Sequence, residues 1–493
     1  MVCVIQPNSP RPRPRPRRRL TPEVRESVRR RLYGPPVLDR NAPGDNAVAF
    51  QRQRRPLRYW NSNWYEYDDV CGWRLTDRTE LAREVRRYLE GAEARVWRED
   101  RFVNEPFNPK RAHVTAVLDA LDAQVGIPDA QYVPCWWPSV CESGLDPSDL
   151  LILQNGILDM ESEEFRPHTP ELFAPSALPY RYEPEAQCPE WLRFLDTLWP
   201  EDQSSIDALQ EWFGYLLTND TRYQTIFLLI GPPAAGKGVI TRVLTELVGA
   251  TNVAQPTLTT LASPYGLGPL IQEGVTRKLA IITDARVGQR AQIAVERLLQ
   301  ISGEDRVTIE RKNSNRSWHG KLPTRFLIVS NHPPALPDTS GALLRRYVPL
   351  ELTRTFSAER DPSLDKRLLT ELPGILNWSL TGLRRLRQRE KFEQSAGGES
   401  LLGHLSHSTS LVRAFVGEKC TIAPHRYTSR VGLYREWRKW CEHRGERPGS
   451  HSAFGRELRA AFPGQIDDGR EGSGERAYRY NGIGVDGPYF FEL

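Results

Sequence analysis

The sequence predicts an α/β core with a phosphate-binding loop, flanked by an α+β N-terminal region and a smaller C-terminal unit. Three observations carry this. Apolar runs at 225–230, 279–282 and 326–330 read as buried strands alternating with stretches of helical periodicity, the pattern of a mostly parallel sheet. Between the first strand and the helix after it stands Gly231-Pro-Pro-Ala-Ala-Gly236-Lys237-Gly238, a G-x4-G-K spacing. A Gly/Ser-rich stretch, Gln394-Ser-Ala-Gly-Gly-Glu-Ser400, marks off a last unit.

The 493 residues make about three domains the starting expectation. Hydrophobic residues at 39% are enough to bury real cores. No stretch approaches the roughly 20 apolar residues of a membrane helix. The N-terminus lacks the apolar region of a secretory signal, so a cytoplasmic chain with no membrane partner is expected. The seven cysteines have no paired C-x-x-C spacing and read as reduced structural thiols rather than zinc ligands. The net charge of +5 is unevenly placed. Residues 1–40 hold eleven Arg against three acids, and the remainder carries 56 basic and 59 acidic groups. The basicity is a tail.

In chain order, 1–56 reads as a disordered basic Arg/Pro arm, because PRPRPRPRRR favours polyproline geometry and no apolar periodicity follows it before Trp60. Residues 57–200 form the N-terminal α+β region. There Tyr59, Trp60, Trp64, Tyr65, Tyr67 and Trp73 surround an Asp-Asp-Val-Cys-Gly turn, suggesting a hairpin. A helix with Leu81, Val85 and Leu89 on one face follows, and Leu150–Leu153 looks like a strand. Within 201–395, Ser204 or Ser205 is expected to cap a helix bearing Ile206, Leu209, Phe213 and Leu216. The helix after the glycine loop, with Ile240, Val243, Leu244 and Leu247, is expected to stop at Gly249. Residues 405–493 read as helices followed by a two-strand ribbon, with Leu433, Trp437 and Trp440 marking one helix and Ser450 capping another.

The loop has a direct chemical use. Its backbone N–H groups can wrap phosphates, the helix N-terminus adds its dipole, and Lys237 reaches the β/γ-phosphates as a point charge. Gly231, Pro232, Pro233, Ala234, Ala235, Gly236, Lys237, Gly238 and Val239 are therefore the expected ATP-binding residues. The residue after the lysine usually offers Mg²⁺ a hydroxyl, and here it is Gly238. Thr241, one turn on, is a poorer substitute. Asp284, at the tip of Lys278-Leu-Ala-Ile-Ile-Thr-Asp284, is the expected acidic partner of Mg²⁺. Asn331 ends the strand Phe326-Leu-Ile-Val-Ser330, where an amide beside the γ-phosphate can orient the hydrolytic water.

These motifs, with ISGEDRVTIERK, GALLRRYVPLEL and ELPGILNWSLTGL in order, resemble the superfamily 3 helicase module. More narrowly, the chain is similar to the phage and plasmid primase–helicase family, related to the poxvirus primase-helicase, over roughly 58–390. The resemblance implies an AAA+-like P-loop ATPase fold that works as a homohexamer on single-stranded DNA. It gives Lys237 the Walker A role, Asp284 the Walker B role (where many relatives carry Glu) and Asn331 the sensor role. It also places an arginine finger at Arg345 or Arg346, acting on the neighbouring subunit's ATP. The segment from Glu310 to His319 would form a channel hairpin, with Lys312 and Arg316 on phosphates and Trp318 a stacking surface; the alternative is an exposed hairpin with one packed Trp.

The C-terminal unit resembles a winged helix, implying contact with duplex or origin DNA, with protein docking as the alternative. The acids Glu66, Asp68 and Asp69 sit in the hairpin turn, where Asp is favoured for backbone reasons, so any primase is expected from a separate protein. The expected activity is ATP-dependent DNA unwinding in replication of a phage, plasmid or other mobile element. An ATP-gated origin-binding or loading protein that never unwinds is the rival. A small-molecule kinase would need a lid and an acceptor pocket, for which the sequence offers no support.

Overall fold

A computed structural model describes residues 35–129, 131–137, 144–272, 275–283, 291–310, 317–334, 336, 338, 341–356, 361–409, 411–444, 448–471 and 477–486. The chain divides into two units, 1–138 with 169–176, and 139–168 with 177–493. No described helix is long and apolar enough to cross a membrane.

In the first unit, strands Leu57–Trp60, Asn63–Asp68 and Gly72–Thr76 form an antiparallel meander, so the expected hairpin gains a strand. Trp60, Tyr65 and Trp73 meet Phe173 with centroids 5.9, 5.2 and 5.5 Å away. The helix Arg78–Glu90 buries Leu81, Val85 and Leu89 as the periodicity requires. The expected arm is too long at its C-terminal end. Residues Pro43–Gln51 are helical, and Ala47 and Phe50 enter the same core as Leu81 and Leu121. Its buried apolar anchors, Ala47 and Phe50, are three positions apart, a signal too short to register as periodicity.

The second unit is built on a five-stranded parallel sheet. Its elements are α1 (Gln203–Leu217), β1 (Ile226–Ile230), α2 (Lys237–Val248), β2 (Val253–Ala254), β3 (Leu279–Thr283), α3 (Ala291–Ser302), β4 (Arg325–Ser330), β5 (Tyr347–Glu351), α4 (Leu372–Arg389) and α5 (Ala396–Thr409). Strand order is β2-β3-β4-β1-β5. All five residues of β1 are buried, as a strand covered on both faces must be. Alternation then sorts the strands into two cores. Phe227, Leu229, Ile281 and Leu327 pack with Leu244 of α2 and Trp212 of α1. On the other face, Leu228 joins Ile282, Ile328 and Leu298 of α3.

α1 and α4 cross at glycines. A Cβ on Gly214 would lie 2.3 Å from the Ser379 carbonyl, and one on Gly382 would lie 2.4 Å from that of Gln210. Beside the crossing, Glu211 is fully buried and ion-paired to Arg385 and Arg389 of α4 at 2.6 and 2.5 Å. The cap of α1 differs from expectation. Asp202 supplies it, accepting from the Ser205 N–H at 3.1 Å, because the helix starts one residue before Ser204.

The Gly/Ser-rich stretch near 395 is not a linker. α5 starts there, with the Ser395 hydroxyl accepting from the Gly398 N–H at 3.1 Å. Leu401 and Leu405 are buried in the second core. Gly398 is needed because a Cβ would lie 2.7 Å from the Pro349 carbonyl of edge strand β5. Thus α5 covers a sheet edge, and Pro349 occupies the kind of strand where its missing N–H is tolerated.

The C-terminal part runs α6 (Leu411–Lys419), β6 (Cys420–Ser429), α7 (Arg430–His443), α8 (His451–Ala461), β7 (Asp467–Glu471) and β8 (Ala477–Val485). The three strands form an antiparallel sheet with β8 central, one strand more than the expected ribbon. β6 escapes a sequence reading because Pro424 and a register shift between Ile422 and Tyr427 break its alternation. Trp437 stacks on Trp440 and Phe454 at 5.6 and 5.2 Å. Ser450 caps α8 as expected.

Candidate nucleotide site

The loop after β1 is shaped by contacts that a side chain would destroy. A Cβ on Gly231 would sit 2.4 Å from the Leu352 carbonyl. Gly236 is the N-cap of α2 with φ +92°, a left-handed value that glycine adopts without strain. Ala234 also takes a positive φ of 58°. The Lys237 ammonium donates to the carbonyls of Gly231 and Pro232 at 2.5 and 2.7 Å, folding the lysine back over its own loop. Burial lowers its pKa, as expected for an ammonium drawn from water without an anion beside it. The result is a concave turn at a helix N-terminus with a cation at its mouth, suited to the phosphates of a nucleotide.

A strap from β5 fixes this loop. Leu352 donates its N–H to Ile230 at 2.7 Å, Thr355 its hydroxyl to Pro233 at 3.0 Å, and Phe356 its N–H to Ala234 at 3.0 Å. Sequence reading missed 352–356, since backbone contacts over more than a hundred residues leave no local signal.

The sheet aligns the other expected groups. Ile230 pairs with Ser330 of β4, and the Gly231 N–H donates to the Ser330 carbonyl at 3.3 Å. Asn331 therefore leaves β4 at the edge where the loop leaves β1, and it is exposed. β3 runs beside β4 with Thr283 opposite Val329. Asp284, the next residue, lies outside the described residues. Gly238 faces Arg242, whose guanidinium is paired with Asp365 at 2.8 Å. Thr241 donates its hydroxyl to the Gly238 carbonyl at 3.0 Å. The described residues thus fit a nucleotide's phosphates, while neither Gly238 nor Thr241 offers Mg²⁺ a ready ligand.

Arg345 and Arg346 are adjacent in a 3-10 turn but differ in environment. Arg346 is half-buried and donates to the Leu299 carbonyl and, at 2.8 Å, to the Ser302 hydroxyl at the end of α3. Burial lowers its pKa. Arg345 is exposed.

The hairpin Val307–Ile309/Trp318–Gly320 is present, with Ile309 opposite Trp318. Trp318 is half-buried and packs against the second core. Lys312 and Arg316 lie outside the described residues. Two acids of the first meander, Glu66 and Asp68, are engaged. Glu66 pairs with Arg54 at 2.9 Å, and Asp68 pairs with Arg55 while accepting from the Val70 and Cys71 N–H groups. Burial opposes ionisation of Asp68, but those donors hold its pKa below the usual range.

Residues 51–200 match the family described as D5 N terminal like, and 229–346 match a family of unknown function. The second match covers the loop, both further strand tips and the arginine turn. These matches make the chain similar to the D5-like primase-helicases. A curated relative, the uncharacterized mitochondrial protein ymf21 of Marchantia polymorpha, is 26% identical over 135 residues, covering 25% of this D5-like chain and 74% of that protein. The apo structure of the NrS-1 C terminal region matches at 12% identity and TM-score 0.50, covering 90% of this chain and 100% of that one, a likeness of fold. Its A form gives the same identity and coverage with a TM-score of 0.49. This similarity of family and fold implies an ATP-using enzyme that acts on nucleic acid.

Proposed function

We propose that this chain is an ATP-dependent DNA helicase serving replication of a phage, plasmid or other mobile element, hydrolysing ATP between subunits of a homohexameric ring that moves along single-stranded DNA. The observation that carries the reading is the shared edge of β1 and β4. The loop of Gly231 and Lys237 follows β1 where Asn331 follows β4, Arg346 is tied to α3 and Arg345 is exposed, all of which support the reading. Lys237 and the α2 N-terminus bind the phosphates, Asn331 orients the attacking water, and Arg345 neutralises charge on a neighbour's nucleotide. Bound Mg²⁺ supplies charge neutralisation at the phosphates, and Asp284 is its protein-side partner, Gly238 offering no hydroxyl. Lys312 and Arg316 contact the DNA strand from the hairpin. The work divides among the N-terminal region to residue 200, the ATPase region from 201, and the C-terminal part, with priming left to a separate protein.

A second reading has its own support. The helix–strand–helix–helix–strand–strand order of 411–485 is winged-helix-like, which suits duplex origin binding by a loader that does not unwind. Strand displacement and ATPase assays on wild type and Lys237→Ala separate the two. The helicase reading expects both activities in the wild type and neither in the variant. DNA-stimulated hydrolysis without displacement in the wild type would favour the loader.

A further inference from the structure

The antiparallel hairpin Glu93–Arg98/Arg101–Pro106 of the first unit carries two large aromatics that no core requires. Trp97 is 57% exposed and Phe102 58%. They are register partners, and their rings meet edge to face with centroids 4.7 Å apart. Alternation puts a second pair of register partners, Arg95 and Asn104, on the same exposed face. The Arg95 guanidinium lies 4.5 Å from the Phe102 centroid, and among the described residues no ion pair is formed by Arg95. The opposite face does the structural work, with Ala94 buried and Val96 packed on the core. The turn is Glu99-Asp100 with both φ values positive, 48° and 63°, which fixes the register and holds the rings in place.

The size of this face limits what can cover it. Two aromatic side chains would bring roughly 300–500 Å² if wholly free, and these are only 57% and 58% exposed, well short of the about 800 Å² per partner in a stable protein interface. A single nucleobase needs far less, because one ring is enough to stack on. A guanidinium for phosphate and an amide for base edges complete what a single strand asks of a protein surface.

We propose that the Arg95/Trp97/Phe102/Asn104 face is a contact site for single-stranded nucleic acid, one base stacking on the aromatic pair and Arg95 meeting the backbone. This choice of occupant rests on the reading of the chain as a nucleic-acid enzyme. The test uses the full chain and a labelled oligothymidylate, followed by fluorescence anisotropy without nucleotide at fixed salt. The double variant Trp97→Ala/Phe102→Ala should bind about tenfold or more weakly. Trp97→Phe should bind close to wild type. DNA-independent ATPase and the melting temperature should stay unchanged in both, since the side chains are exposed. If the wild type binds and the double variant binds equally well, this site is wrong and the helicase reading stands. If the wild type binds no single strand, both fail. A wild-type dimer that the double variant loses in sedimentation would overturn the site in favour of protein docking.

Discussion

The Arg346 guanidinium and the Ser302 hydroxyl are 2.8 Å apart, and their bond ties the arginine turn to the C-terminal end of α3. Because α3 and β3 belong to the same stretch of core, the anchor fixes where the turn sits relative to the sheet. Its neighbour Arg345 is left at the surface. The two arginines should therefore fail differently. Arg345→Ala is expected to lower kcat by about 10³-fold with little change in ATP affinity, the scale of a lost arginine finger. Mixing it with Lys237→Ala should restore part of the activity, since each chain supplies what the other lacks. Arg346→Ala removes two hydrogen bonds from a charged donor, although the Leu299 carbonyl keeps the Gly303 N–H and Ser302 keeps the Leu298 carbonyl, and should cost about 1–3 kcal/mol of stability. Steady-state kinetics and thermal melting on both variants check this. A stable but inactive Arg346→Ala beside an active Arg345→Ala would exchange the roles.

The glycine crossing of α1 and α4 makes a second, purely structural expectation. Gly214→Ala and Gly382→Ala each push a methyl into backbone atoms of the opposing helix, which cannot rotate away. Each should destabilise by about 1–3 kcal/mol or more, the cost of overpacking a filled interface. Gly403 of α5 is the control, having nothing within 4 Å of its Cβ position. Gly403→Ala should stabilise by roughly 0.5–1 kcal/mol through helix propensity. Denaturant melts of the three variants give the comparison.

The sequence-visible part of this protein is the part governed by local rules. The strands at 226–230 and 325–330 show as apolar runs, Gly231 and Gly236 mark the loop, and Gly249 stops α2 with φ +82°. What escaped was non-local. The 352–356 strap and the inward turn of Arg346 depend on residues far away in the chain. α5 was hidden because its glycines read as a linker until Pro349 is seen against Gly398. Asp284, Lys312 and Arg316 stay expectations from sequence, lying outside the described residues.

Stability should depend on pH through Lys278. Its ammonium donates to the Leu217 carbonyl at 2.9 Å, at the end of α1, where Arg325 donates to Leu216, Thr218 and Asp220. Burial, then repulsion from Arg325, push Lys278 down to about 7. A folded-state pKa below that of the unfolded chain means that the unfolded chain holds more protons between about pH 7 and the ordinary lysine value of ~10.4. Stability therefore rises with pH across that window and gains nothing from Lys278 below it. Lys278→Met should remove this rise. Urea melts at pH 7, 8 and 9 on both chains measure it, and parallel pH profiles would show that Lys278 stays charged in the fold.

The hairpin of Val307–Ile309 and Trp318–Gly320 offers the sharpest contrast between DNA contact and packing. Trp318 leans on the second core and pairs in register with Ile309. Trp318→Ala should cost about 3–5 kcal/mol if its ring were fully buried, and somewhat less for a half-buried one. Trp318→Leu should recover most of the stability and leave single-strand affinity near wild type. Lys312→Ala acts oppositely. It should leave the melting temperature unchanged, weaken binding to all single-stranded sequences alike, and reduce the slope of log affinity against log salt by about 0.7, the signature of one lost phosphate contact. Salt-titrated anisotropy on both variants reads the two effects separately. A Trp318→Leu chain that folds normally yet loses DNA would return the tryptophan to the stacking role that its packing argues against.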